Sequence, residues 1–290
     1  AYTRTFERIT DPYQPTVNEW LYDQLPRDVS NWRTESNGCI EERATYQIND
    51  YNNVDLARAL DLNIDLVPTS APETKWAPAY PNIIYARSMR YNGTGSFTPA
   101  QQVTTADFVN PTVIGAAACP APARRLATIS QSDLDAYLAT LQPTGATYHD
   151  IGMIWGGRLL SPTGLFASDN ADVSSTRPST RHLIFLTDGQ TEPRDLSYSS
   201  YGLEPLDRRR WRAGSAPTLT PTVEKRFSFV CQEVRKKNIT VWIIGFGTAT
   251  NPVMQECAGA DRYFVADDAE ELQETFATIA KRMGELRVSR

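Results

Sequence analysis

The chain has 290 residues, 41% hydrophobic and 22% charged, the balance of a globular protein rather than a disordered or membrane-embedded one. No apolar run approaches the roughly 20 residues needed to cross a bilayer, and a net charge of -5 argues against a sequence-independent grip on nucleic acid. The start, AYTRTFERIT, carries no signal-peptide pattern and no initiator Met, so a mature or shortened product is expected.

Residues 1–127 resist periodic reading because prolines from Pro12 to Pro122 interrupt nearly every candidate element. NEWLYDQL (Asn18–Leu25) and VDLARALDL (Val54–Leu62) are each expected to form one or two helical turns. The expectation is a loop-rich, disulfide-stapled lobe leaning on the rest, which runs from 128 to 290. Asn92-Gly93-Thr94 is a glycosylation sequon that matters only in a eukaryotic secretory path.

From Ser130 the pattern becomes regular. Ser130 and Ser132 are candidate N-caps for DLDAYLATL, which has Leu134, Tyr137, Leu138 and Leu141 at helical spacing and stops at Pro143. YHDIGMIWGGRLLS then places Ile151, Ile154, Trp155 and Leu159 on one face. Gly152, Gly156 and Gly157 each weaken an isolated helix by up to about 1 kcal/mol, so close packing against a neighbour is expected there.

TRHLIFLTDG (Thr180–Gly189) is a short apolar run ended by turn residues, which reads as a parallel strand buried on both faces. Asp188, at its carboxyl end, lies where open α/β sheets bind ligands. The basic cluster Arg208-Arg209-Arg210-Trp211-Arg212 is expected in a solvated loop. Thr222–Lys237 reads as a helix with Val223, Phe227, Val230, Cys231 and Val234 inward, and Ile239–Phe246 as a second buried strand. Asn251 caps a short helix through Cys257, and Tyr263–Ala266 forms a third strand. Asp267 or Asp268 caps a last helix whose Leu272, Phe276, Ile279, Met283 and Leu286 share a face. Helices alternating with strands signal a mostly parallel, open α/β sheet.

Four cysteines, Cys39, Cys119, Cys231 and Cys257, are far apart and show no zinc spacing. Two disulfides and an oxidising compartment fit this usage. Pairing Cys39 with Cys119 and Cys231 with Cys257 keeps each bridge within one half of the chain, although other pairings and free thiols remain open.

The phrases GATYHDIGMIWGGRLLSPTGLF, RHLIFLTDGQ, VWIIGFGT, QECA and RYFVADDAEELQETFATIAKR resemble the second half of a von Willebrand factor A domain. More narrowly they resemble the TadG-like proteins of bacterial Tad/Flp pilus assembly, whose insert is similar to the upstream NGCIEER and Cys119-Pro120. The likeness covers most of 130–290 and scattered points before it. It implies a metal-ion-dependent adhesion site on which Thr147 and Asp188 match two ligand positions for Mg²⁺ or Ca²⁺, hard ions suited to hydroxyl and carboxylate oxygen. It also implies a first ligand loop, DxSxS, that this chain lacks. Asp172-Val173-Ser174-Ser175-Thr176 fits those letters without a preceding strand and is taken as chance.

The family's first three strands are missing, so an N-terminal fragment or another chain is expected to supply them, unless residues 1–127 fill the gap. The resemblance implies an extracytoplasmic, non-enzymatic assembly or adhesion protein of a bacterial pilus or filament, with pilus components as protein partners. The alternatives are a general metal-dependent adhesin and a metal-dependent hydrolase around His149-Asp150. No nucleophile elbow GxSxG and no GxxxxGK[ST] loop accompanies that pair. The paired carboxylates Glu41-Glu42, Asp267-Asp268 and Glu270-Glu271 are read as caps or turn residues. His149 is expected to hydrogen-bond the metal loop.

Overall fold

The computed structural model describes residues 38–79, 120–142, 146–176, 178–193, 199–202, 204–212 and 214–285, with short strands at 2–4, 8–10, 18–20, 25–27, 89–91 and 97–99. Strand β1 (Tyr2–Arg4) pairs antiparallel with β4 (Leu25–Arg27), and β2 (Arg8–Thr10) with β3 (Asn18–Trp20). Strand β5 (Ile40–Glu41) pairs with β6 (Ala77–Pro78), and β7 (Met89–Tyr91) with β8 (Phe97–Pro99). The helical expectation for Asn18–Leu25 is therefore corrected: its described ends are strand. Val54–Leu62 is not helical either. It is a string of turns in which Asp55 accepts from the Ala57, Arg58 and Ala59 amides, local bonds that compete with a longer helix. Cys119 and the Asn92 sequon lie outside the described residues, as does Leu286.

The sheet is parallel and three-stranded, as the alternation of elements implies. Strand β9 (Arg181–Thr187) pairs in parallel with β10 (Ile239–Phe246), which pairs in parallel with β11 (Tyr263–Ala266). Helix α1 (Gln131–Leu138) is capped by the Ser130 hydroxyl, which accepts from the Asp133 amide. It buries none of its residues, and Leu138 and Leu141 remain about half exposed, so its apolar spacing does not mark a core face. Helices α2 (His149–Leu160) and α4 (Leu219–Lys236) cover one face of the sheet, on either side of a helical turn α3 (Glu204–Asp207). Helix α5 (Pro252–Ala258) starts at Asn251, whose Oδ1 accepts from the Val253 and Met254 amides. Helix α6 (Ala269–Glu285) starts after Asp268, which accepts from the Glu270 and Glu271 amides, and covers β10 and β11 on the other face.

Glycines set how close α2 comes to its neighbours. A Cβ on Gly156 would lie 2.7 Å from Leu183 Cδ1, and one on Gly157 would lie 2.6 Å from Val234 Cγ2. The resulting core joins Met153, Ile154, Leu183, Phe227, Val234 and Ile243. It also takes Ile48, Ala59, Leu62 and Ile64, so residues 38–79 share the core under the sheet. Cys231 and Cys257 form a disulfide joining α4 to α5 across 5.9 Å between Cα atoms. Closing 26 residues in this way is worth about 3–4 kcal/mol in the chain-entropy account. Cys39 is disulfide-bonded as well.

Strand β9 departs from its expectation. Leu183, Phe185 and Thr187 face α2 and α4, but Ile184 and Leu186 on the opposite face are 37% and 47% exposed. The reason is positional: α6 stops at β10 and β11, and among the described residues β9 has no second neighbour.

Two further corrections concern charge. Arg210 and Trp211 of the basic cluster are buried, not solvated, and Glu41 and Glu42 are buried rather than capping. Arg210, Glu41 and Glu42 belong to an ion-pair network between the 38–79 segment and the helices. Arg226 on α4 bonds Asp61 Oδ2, and its Nε lies 3.2 Å from Asp150 Oδ2 at the start of α2. Arg210 bridges Asp150 and Glu204, Arg158 forks both oxygens of Glu42 at 2.8 and 2.9 Å, and Tyr201 donates to Asp61 at 2.6 Å. Burial works against the charge on Arg226, but Asp61 and the neighbouring Tyr201, Tyr51 and Asp150 outweigh it and hold the proton more tightly than usual. Replacing Arg226 by Met takes the ion-pair partner from buried Asp61 and leaves Asp150 to Arg210. The expected loss is about 3–5 kcal/mol in urea unfolding, and a loss under about 1 kcal/mol would show that the carboxylates find other partners.

Candidate functional site

The carboxyl ends of β9 and β10 form a rim built from three loops. Thr147, just before α2, exchanges both backbone hydrogen bonds with Glu192, each at 3.1 Å. This pairing brings Thr147 to the loop that carries Asp188, an exposed residue one position past the end of β9. The third loop follows β10. Gln190 donates to Thr248 Oγ1 at 3.3 Å and to the Ala249 carbonyl at 3.0 Å, and accepts from Asn251 Nδ2 at 2.7 Å. Gln190 thus ties the two rim loops together, a role that nothing in the local sequence pattern signalled.

His149 braces the loop from below. It is 5% exposed, with Nε2 3.0 Å from Thr187 Oγ1 and Nδ1 2.8 Å from Thr191 Oγ1. The Thr187 hydroxyl also lies 3.2 Å from the Gly189 carbonyl, so it links the ring to the turn after β9. A neutral imidazole donates from one ring nitrogen and accepts at the other, and both hydroxyls can answer either role. Phe185 and Phe227 pack edge-on against the ring. Burial in this apolar setting pulls the His149 pKa down to about 4, against the opposing pull of Asp150 and Asp188.

Asp150 turns away from the rim. Its Oδ1 accepts from the Ile151 amide at 3.0 Å, and its Oδ2 is held by Arg210 and Arg226. His149 and Asp150 thus point to separate tasks, and neither has a free metal-binding edge. Asp172 bonds the Ser179 amide and Arg181, which makes it a brace for the approach to β9.

Thr147 and Asp188 are hard donors of the kind Mg²⁺ and Ca²⁺ take, but those ions want roughly six or more oxygens. Among the described residues no group of three His, Cys, Asp or Glu side chains is placed to hold a metal. Among the described residues, Thr147 and Asp188 by themselves supply too few oxygens for such an ion.

The His149 shift gives stability a pH dependence with a definite sign. The unfolded chain takes up a proton below about pH 6.5 and the folded one only near pH 4, so the contribution is complete above pH 6.5 and lost as pH falls to 4. Its size is about 3 kcal/mol. Urea midpoints should fall over that window, and His149→Gln should remove that part of the slope while the carboxylate part remains. An unchanged slope in the variant would show that His149 does not carry it.

No protein-family model matches the chain, and no curated protein matches it. Among solved structures, the pilus adhesin SpaC from Lactobacillus rhamnosus GG in its open conformation is 19% identical, with a TM-score of 0.34. The match covers 53% of this chain and 21% of the adhesin chain. A second structure of the same adhesin is 21% identical at a TM-score of 0.35, with the same coverage. The matched part is thus about a fifth of the adhesin's length.

Proposed function

We propose that this chain is a binding and assembly protein of the von Willebrand A, TadG-like kind, which engages a pilus or filament component through the rim at the carboxyl end of its sheet. One observation carries this reading: Thr147 is locked by backbone pairing to the loop that bears an exposed Asp188, with His149 bracing that loop. A carboxylate held out on a braced loop is preorganised for a partner rather than spent on folding. The sequence phrases that resemble such domains point the same way.

The cation belongs to this proposal as a shared ion. Thr147 and Asp188 would supply part of its shell, and an N-terminal fragment that adds strands beside β9 would supply the rest. Among the described residues β9 has no second neighbour and leaves Ile184 and Leu186 bare, which supports such an addition. The Cys231–Cys257 bridge and the disulfide-bonded Cys39 support an oxidising, extracytoplasmic setting. No described helix is long and apolar enough to cross a membrane.

The test uses the purified chain with filament components in a pull-down quantified by surface plasmon resonance. Asp188→Ala should weaken binding about tenfold or more, on the scale of a lost charge-assisted contact. Chelation with EDTA should reduce wild-type binding and leave the variant unchanged. Full binding by Asp188→Ala, or binding indifferent to both Asp188 and EDTA, removes the rim from the interface.

A further inference from the structure

Gln190 is exposed, two residues past Asp188, yet both ends of its carboxamide reach across the rim. Its Oε1 accepts from Asn251 Nδ2 at 2.7 Å, and its Nε2 donates to the Ala249 carbonyl at 3.0 Å and to Thr248 Oγ1 at 3.3 Å. The direction of these bonds is imposed from the buried end. Asn251 is 4% exposed, and its Oδ1 accepts from the Val253 and Met254 amides at the start of α5, which can only donate. Nδ2 is therefore the atom that Asn251 turns to Gln190, and Gln190 must answer with Oε1. That sets Nε2 toward the Ala249 carbonyl, which can only accept.

Asn251 is a firm anchor for such a tie. Its backbone amide donates to the Tyr263 hydroxyl at 3.1 Å, and the Cys231–Cys257 disulfide joins α5 to α4. Gly245 leaves room for this arrangement, because a Cβ there would lie 3.1 Å from Thr248 Cγ2 and 3.3 Å from the Tyr263 hydroxyl. The loop after β10 is thus held from its own side of the sheet. His149 holds the loop after β9 from the other side, through Thr187 and Thr191.

Ordering an exposed glutamine costs side-chain entropy that its hydrogen bonds offset, so little net stability follows from the tie. What the bonds fix is geometry. We infer that Gln190 is a positioning residue of the rim: its carboxamide holds the Asp188 loop against the loop after β10, and affinity for the filament partner depends on it although folding does not. The inference rests on the reading of the rim as the partner-binding surface.

Two variants of the purified chain test it. Gln190→Ala removes the tie, and Gln190→Glu keeps its size but turns a carboxylate oxygen toward the Ala249 carbonyl. In both, hydrogen–deuterium exchange over 188–192 should rise about tenfold, while urea midpoints stay close to wild type. Unchanged exchange in either variant overturns the inference whatever the partner does. A marked fall in urea midpoint makes Gln190 a folding residue and also overturns it. On immobilised filament components, Gln190→Ala should weaken binding about three- to tenfold, and in the Asp188→Ala background the same change should add nothing. Independent, additive losses make Gln190 a contact in its own right and overturn the positioning role. Full binding by Asp188→Ala, with raised exchange in Gln190→Ala, overturns the rim reading and the affinity claim with it, while the tie between the loops stands.

Discussion

The guanidinium of Arg226, enclosed between Asp61 and Asp150, constrains more of this molecule than any apolar contact does. A single buried Leu or Phe contributes about 1.5–3 kcal/mol, whereas one uncompensated buried charge costs several. The three groups come from segments far apart in sequence, so none can be buried until all have met. That requirement fixes the 38–79 segment against the helices and fixes the first turn of α2. A well-packed apolar replacement of the whole set could be as stable. What the ions supply is a penalty on every arrangement that leaves one of them alone.

The constraint reaches the rim through one covalent step. Asp150 is anchored by Arg210 and Arg226, and the preceding residue, His149, is thereby held where its ring spans Thr187 and Thr191. A buried, neutral imidazole is a suitable brace because it donates from one nitrogen and accepts at the other without needing a counter-ion. Here its two partners are hydroxyls, which can complement either ring nitrogen. Asp61 thus acts on the rim loop through positions that never touch it.

What the sequence could reveal follows from the range of the forces involved. Strands β9, β10 and β11, helices α4, α5 and α6, and the caps at Ser130, Asn251 and Asp268 are governed by local periodicity and nearby hydrogen bonds, and they were legible. The glycines of α2 announced a close approach, though not that Leu183 and Val234 would make it. The charge network was not legible, because Arg210 in a run of arginines looks like solvated surface until Asp150 and Glu204 are brought to it. Arg226 did leave a signal: it lies three residues after Val223 and one before Phe227, inside the apolar stripe of α4. Likewise, the spacing of Leu134, Tyr137 and Leu138 specifies a helical face but not a neighbour to cover it. Thr147 and Asp188 could be singled out from resemblance, whereas Gln190 and Thr191 needed the loops in place.

The two outer strands of the sheet are built differently, and the contrast bears on what β9 is for. Strand β11 has four residues, ends against Asp267 and Asp268, and presents Val265 to solvent at 41% exposure. Shortness and adjacent charge are the usual protections of an edge that stays an edge. Strand β9 has seven residues, RHLIFLT, with no proline and no lysine. Its one permanent charge, Arg181, is turned inward to Asp172 and the Asn170 carbonyl. Its bare Ile184 and Leu186 sit beside Trp242 and Ile244, whose own outer surfaces α6 covers. Among the described residues β9 thus combines the apolar composition of an interior strand with a single paired neighbour.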